Sequence, residues 1–469
     1  MALRLVRQGI VLCMAGALVA GPALAQAPQQ APKQTPPPGG APRPFVLPGT
    51  TTFSLPNGLG ATLVPYGTVP KVTATLVVGV GNAHESAEQV WLADMTGELM
   101  REGTQTRSSA EVAEAAGGMG GSLMVAVGGD QTTIGLDVLS EAAPDAIALL
   151  AEVVSRPALP EREVARVRDN LIRQLTVARS TPGSLATERF AATLYPNHPY
   201  GRLFPDEGQL ATYDLAAVTA FHRTHFVPNR SHLYVVGQFD ARAVREAVEQ
   251  AFRGWSKGAD ATRPPVTPVS ARAFHLIDRP GAAQSTIRLG LPVIDPSHRD
   301  YVALQVTNTL FGGSFASRVT SNIREQKGYT YSPSSQLASH PGVAHWVQTA
   351  DVTTAVTGAA LKEVFAEIDR LRAEPPSDEE LAGFRNYLAG VFVLQNSSRM
   401  GITNQLAFTR LHRLGDDHLK TFVSRVQAVT PADVQRVANE YLVPGKMALV
   451  VVGDAASIRG QLAAYDTRQ

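Results

Sequence analysis

Three of the eleven histidines are spaced as metal ligands can be: His222 and His225 stand three residues apart on a helical stretch, and His232 follows shortly after. Imidazoles at that spacing can share a zinc ion. The competing reading is a helix end whose histidines pack or meet solvent. His340 and His345 lack a neighbouring carboxylate in any recognisable motif. Nucleophilic chemistry is poorly served. No G-x-S-x-G elbow occurs, so the usual setting of a hydrolase serine is missing. The single cysteine, Cys13, lies inside an amino-terminal apolar run.

That run reads as an export signal. Arg4 and Arg7 form a basic start, Gly9 to Ala20 an apolar centre, and Ala23-Leu24-Ala25 a small-residue cleavage pattern before Gln26. A lipid anchor would need its cysteine at the end of the run. The expectation is a signal peptide over 1–25 and a soluble, secreted, periplasmic mature chain without a thiol. Such a chain has neither disulfides nor a cysteine nucleophile. No later stretch holds eighteen uninterrupted apolar residues, so no membrane span is expected. A formal charge of +1 provides no overall field toward nucleic acid.

The elements that must position any site fall into two halves. Residues 26–48, with Pro36-Pro37-Pro38, read as a disordered spacer, and 257–272, with Pro264, Pro265 and Pro268, as a linker. They bound domains over 49–256 and 273–466. Phe226-Val227-Pro228 leads through Leu233-Tyr234-Val235-Val236 to Gly237; Leu442-Val443-Pro444 leads through Leu449-Val450-Val451-Val452 to Gly453. Prolines and glycines are each 216 positions apart, the mark of a duplication. Each copy reads as a helix stopped before proline, then a buried strand. Strands are expected at Val72–Val80, Ser122–Val127, Thr132–Val138 and Thr286–Leu291. Helices are expected at Ala87–Met100, Glu141–Val154, Glu161–Ala178, Leu215–His225, Thr353–Glu374 and Asp378–Gln395.

Four stretches together resemble one family. Trp91-Leu92-Ala93-Asp94-Met95-Thr96-Gly97-Glu98, followed by Glu102-Gly103-Thr104, resembles the G-L-A-H-x-x-E-H helix and K-G-T turn of the insulinase-like (pitrilysin-type, inverzincin) zinc metallopeptidases. Arg168–Leu175 resembles the later helix with the third metal ligand. His198-Pro199-Tyr200-Gly201 resembles a loop of the branch that includes mitochondrial processing peptidases. Gly312-Gly313 through Arg324-Glu325 to Gly328 and Tyr331 is similar to the second-domain signature R-E-x-x-G-x-x-Y.

The resemblance implies an α+β fold of two homologous domains, each an antiparallel-rich sheet covered by helices, facing each other across a chamber. It also places Asp94 and Glu98 at the histidine positions, Gly97 at the general base and Gln174 at the third ligand. Two carboxylates and an amide suit a weakly held hard cation better than zinc, and glycine accepts no proton from water. The degenerate set is therefore expected to hold no metal, and Asp94 and Glu98 to be a solvated helix face. Gln174, beside the stripe Val164, Val167, Leu171 and Leu175, is expected to face inward. Arg324 and Tyr331 are retained, the pair that in this family contacts substrate backbone and oxyanion. The implied protein is a non-catalytic subunit acting on peptides or unfolded segments beside a homologous partner that carries H-x-x-E-H and zinc. The rival expectation is a peptide-binding or scaffold protein with no part in catalysis.

Overall fold

The computed structural model describes residues 46–466 apart from Asp416. The expected signal peptide and most of the expected spacer lie outside the described residues. The first half contains β1 (Thr51–Ser54), β2 (Gly60–Pro65), β3 (Lys71–Val78), β4 (Met124–Val127), β5 (Thr132–Leu139) and β6 (Ser231–Gly237). Its helices are α1 (Leu92–Met100), α2 (Ser109–Gly118), α3 (Ala143–Ser155), α4 (Glu161–Ser180), α5 (Pro182–Leu194), α6 (Glu207–Ala211), α7 (Leu215–His225) and α8 (Ala241–Phe252). The second half contains β7 (Ala273–Asp278), β8 (Gln284–Val293), β9 (Ser334–His340), β10 (Val343–Thr353) and β11 (Ala448–Gly453). With them come α9 (Tyr301–Phe311), α10 (Thr357–Ala373), α11 (Asp378–Gln395), α12 (Arg399–Leu411), α13 (His418–Ala428), α14 (Pro431–Tyr441) and α15 (Ala455–Ile458).

The two sheets repeat one topology. Their strand orders are β1-β2-β6-β3-β5-β4 and β7-β11-β8-β10-β9. In each, the last strand of the half returns to lie parallel to the first of the shared set and antiparallel to the second: β6 between β2 and β3, β11 between β7 and β8. Those returning strands are the two that carry the sequence repeat.

Both returning strands are buried along their whole length, and the reason is an exchange of helices. On one face, Leu233 and Val235 of β6 join the core beneath their own helices. On the other face, Val236 packs on Ile402, and Tyr234 on Ala407, both from α12 of the second half. Reciprocally, Val450 and Val452 of β11 pack with Phe190 and Leu194 of α5 from the first half. Strands covered on both faces need near-continuous apolar sequence, which is why these read as Leu-Tyr-Val-Val and Leu-Val-Val-Val. Each fully buried large side chain of this kind contributes about 1.5–3 kcal/mol. A polar tie supplements the exchange: Arg399, opening α12, donates to Asp137 of β5 at 2.8 Å, and Lys71 does so at 2.7 Å. All these contacts lie within one compact unit of the chain.

Some boundaries differ from expectation. The helix expected from Ala87 starts only at Leu92, because Trp91 sits in the left-handed region at φ 70°. The helix expected from Thr353 starts at Thr357, since β10 runs on to Thr353. Gly117 and Gly118 close α2, and Gly120, at φ +80°, makes the turn that follows.

Candidate functional site

Helix α1 carries Asp94, Gly97 and Glu98, the positions that the resemblance aligns with two metal ligands and a general base. Leu92, Met95, Leu99 and Met100 bury its inner face. Its amino-terminal end is capped from outside by a buried glutamate, Glu85, whose carboxylate accepts from the amides of Trp91 (3.0 Å) and Ala93 (2.7 Å). The Asn82 amide links two acids, donating to Asp94 at 2.6 Å and to Glu85 at 3.3 Å. Burial pushes the Glu85 carboxyl up to about 8 against these hydrogen bonds, with Asp94 adding to the rise. Burial likewise raises Asp94 to about 6, with Asn82 opposing and Glu98 assisting. Asp94 is thus not the solvated residue expected from the sequence.

This pair has a consequence for stability. Both folded-state values lie above the ordinary carboxyl values of 4.5 and 3.8, so the folded protein holds protons that the unfolded chain releases. Their contribution is greatest at low pH and falls as pH rises toward about 8. Chemical denaturation from pH 5 to 8 should therefore show a loss on the order of a few kcal/mol from these groups, much reduced in Glu85→Gln.

The remaining metal positions do not fit zinc. Gly97 is buried beneath β4, and a Cβ there would lie 2.7 Å from Cγ2 of Val127. No side chain able to act as a base fits in that space as it stands. Glu98 is half exposed and faces Arg101 at 3.5 Å. Gln174 is exposed on α4, correcting the inward orientation expected for it. Val164, Val167, Leu171 and Leu175 form the buried stripe, and Gln174 falls at its rim, one residue before Leu175. Among the described residues no group of three or more His, Cys, Asp or Glu side chains is placed to hold a metal ion.

The histidines singled out by spacing are likewise engaged separately. His222 Nε2 bonds the Val154 carbonyl at 2.8 Å, His225 accepts from Arg230 at 3.1 Å, and His232 pairs with Thr62 at 2.8 Å. Burial lowers the pKa of all three, to about 4 for His225 and about 3 for His232.

Arg324 and Tyr331 are brought together. A π-helical turn over Thr320–Gln326 carries Arg324, and Gly328, at φ +64°, reverses the chain toward Tyr331. Arg318, just before the turn, is fixed by two 2.8 Å bonds to Glu380 of α11. The Arg324 guanidinium lies 4.9 Å from the Tyr331 ring centroid and 4.3 Å from that of Phe315. Each such contact is worth about 0.5–1 kcal/mol at the surface. Tyr331 is 79% exposed and Phe315 69%. The Arg324 Nε also pairs with Glu325 at 3.2 Å, so the cation is held by a neighbouring carboxylate and two exposed rings, with the Tyr331 ring turned to solvent. Phe315 was not evident as a partner from sequence; its one signal is an aromatic residue in a Gly-Gly-Ser loop.

A duplicated two-sheet α+β architecture defines the class. The sequence model of the insulinase family (peptidase family M16) matches residues 63–205, and that of the peptidase M16 inactive domain matches 212–388. The chain belongs to the insulinase-like M16 peptidase family. It is 24% identical to an uncharacterized zinc protease of Streptomyces coelicolor over 401 residues, covering 83% of this chain and 86% of that protein. A Mycobacterium tuberculosis uncharacterized zinc protease is 25% identical over 429 residues, covering 87% and 93%. In fold, the chain is similar to a protease from Helicobacter pylori, with TM-score 0.81 and 19% identity over 87% of this chain and 100% of that one. A peptidase M16 inactive domain from Pseudomonas fluorescens gives TM-score 0.79 at 23% identity, covering 86% and 98%. The periplasmic protease PqqL of Escherichia coli gives 0.75 at 17%, covering 86% of this chain and 45% of that one. No described helix is long and apolar enough to cross a membrane.

Proposed function

We propose that the mature chain is the zinc-free half of a heterodimeric periplasmic metalloendopeptidase, in the branch that includes mitochondrial processing peptidases. Its partner is a homologous chain with an intact H-x-x-E-H helix, which brings zinc and the general base. This chain contributes substrate-binding surface and the Arg324–Tyr331 pair, which donates to the scissile carbonyl of an extended peptide or unfolded segment. The observation that carries the reading is the contrast between its two sites. Gly97 lies under Val127, whereas Arg324, paired with Glu325, lies over an exposed Tyr331. The leader-like start of the sequence supports export, and the fold likeness to a periplasmic protease is in keeping with it.

The test is affinity purification of the tagged mature chain from periplasmic extract. Recovery of a homologous H-x-x-E-H chain in equal amount, with chelator-sensitive peptidase activity, is the expected result. Recovery of peptides or membrane-complex proteins without such a chain would instead establish the scaffold reading.

A further inference from the structure

The face of the second sheet that α5 covers is not wholly filled. A cavity of about 420 Å³ remains there, enclosed by β8, β9 and β10 on one side and by α5, Trp91 and residues 199–203 on the other. That volume falls within the range of small-ligand sites. The cavity borders the start of α1 through Trp91 and through Asn82, which bonds Asp94, whereas neither Arg324 nor Tyr331 lines it, and it does not depend on the heterodimer.

Its lining is one-sided in chemistry. Trp91, Phe190 and Tyr195 form an aromatic wall, and Arg202 and Arg288 supply the formal charge. None of the lining residues is an aspartate or glutamate. Arg288 projects from the central strand β8, and its Nε is buried without a hydrogen-bond partner among the described residues. Burial lowers its pKa, with Asp351 opposing, as befits a partly desolvated cation. A buried guanidinium N–H left unmade is costly and calls for an acceptor.

Trp91 supplies an independent indication. The insulinase-type motif has glycine at this position, whereas here a tryptophan takes φ 70°, where a bulky side chain is strained. Its indole N–H is fixed on the Leu203 carbonyl at 2.9 Å, and the ring lines the cavity. Other lining side chains are fixed too: the Tyr195 hydroxyl bonds His345 at 3.1 Å, and Tyr200 and His340 both bond Asp130. Strain of this kind clusters at active sites and ligand clamps.

We propose that this cavity binds the carboxy-terminal residue of a peptide, with the terminal carboxylate on Arg288 and an apolar side chain against Trp91, Phe190 and Tyr195. A planar guanidinium matches a carboxylate in bidentate geometry, and aromatic walls select an apolar body. A small free acid shares that chemistry. The geometry favours a peptide because β9 is an edge strand of its sheet, and Gln336, Ala338 and His340 along it line the cavity. Gln336 is exposed, so an extended chain laid along β9 has a route for its end to enter.

Isothermal titration calorimetry on the mature chain tests this with five probes: N-acetylphenylalanine, its amide, N-acetylglycine, and a ten-residue peptide ending in phenylalanine as free acid and as amide. Both phenylalanine acids should bind, while the amides and N-acetylglycine bind about tenfold more weakly or worse. Arg288→Gln should remove the acid-over-amide preference. Trp91→Gly, which relaxes its own backbone, should weaken acid and amide alike. Should Arg288→Gln fail to fold, the acid–amide comparison on the unaltered protein and the Trp91→Gly variant carry the test. Equal binding of acid and amide, no binding of any probe at millimolar concentration, or unchanged affinity in a folded Arg288→Gln variant overturns the proposal. Binding of N-acetylphenylalanine but not of the acid peptide overturns the peptide assignment in favour of a small carboxylate.

Discussion

In the proposed zinc-loaded heterodimer, replacing Tyr331 with phenylalanine, or Arg324 with alanine, is expected to lower kcat about 100- to 1000-fold, with assembly and zinc content unchanged. Loss of one preorganised oxyanion donor has that typical cost, on the order of 3–4 kcal/mol. The geometry makes the two variants informative in different ways. Tyr331→Phe removes only a hydroxyl from a ring that is 79% exposed, so it disturbs no packing. Arg324→Ala also releases Phe315, Tyr331 and Glu325 from the cation they share. The readout is steady-state peptide hydrolysis per assembled complex. A pair with only a structural role would instead weaken dimerisation or melting temperature and leave the turnover of surviving complexes intact. Full activity in both variants would move the account to the peptide-binding alternative.

The second large effect concerns the metal helix. Asp94→His, Gly97→Glu, Glu98→His and Gln174→Glu together restore the family's ligand set, yet the fold resists one of them. A glutamate at 97 meets Val127 at its first side-chain atom, an overpacking that typically costs about 1–3 kcal/mol. The fourfold variant should therefore melt below the unaltered protein, and adding Val127→Ala should recover most of that loss. The fivefold variant is expected to take up about one zinc per chain by metal analysis, where the unaltered chain takes up none. Useful peptidase activity should lag behind zinc uptake, because turnover also depends on groups that orient the ligands. If the fivefold variant folds and binds no zinc, the register of Gln174 against Glu98 is wrong.

The strands and helices most legible from sequence were those whose burial is simple. Leu215–His225 and Asp378–Gln395 stand as their patterns predict, and the repeat at Gly237 and Gly453 marks equivalent strands in the two sheets. The helix exchange was hidden, because the partner faces of α5 and α12 lie in the other half of the chain. Proximity to an apolar stripe misplaced Gln174: a helix turns about 100° per residue, so one position carried it from the buried face to the rim. Glu85, Asn82 and Val127 could not be found by motif. They reach α1 from a loop and an edge strand, through contacts that no spacing along the helix encodes. The same holds for Phe315, which meets Arg324 only once the π-turn has formed.

On the proposed function, this chain has no metal centre of its own and serves one in another chain. The most direct measurement is zinc content and peptide hydrolysis for the purified mature chain, alone and after mixing with its homologous H-x-x-E-H partner. The chain alone should show no stoichiometric zinc and no hydrolysis, and the mixture about one zinc per heterodimer with chelator-sensitive turnover well above that of the partner by itself. About one zinc per chain in the isolated protein, with chelator-sensitive proteolysis, would contradict it.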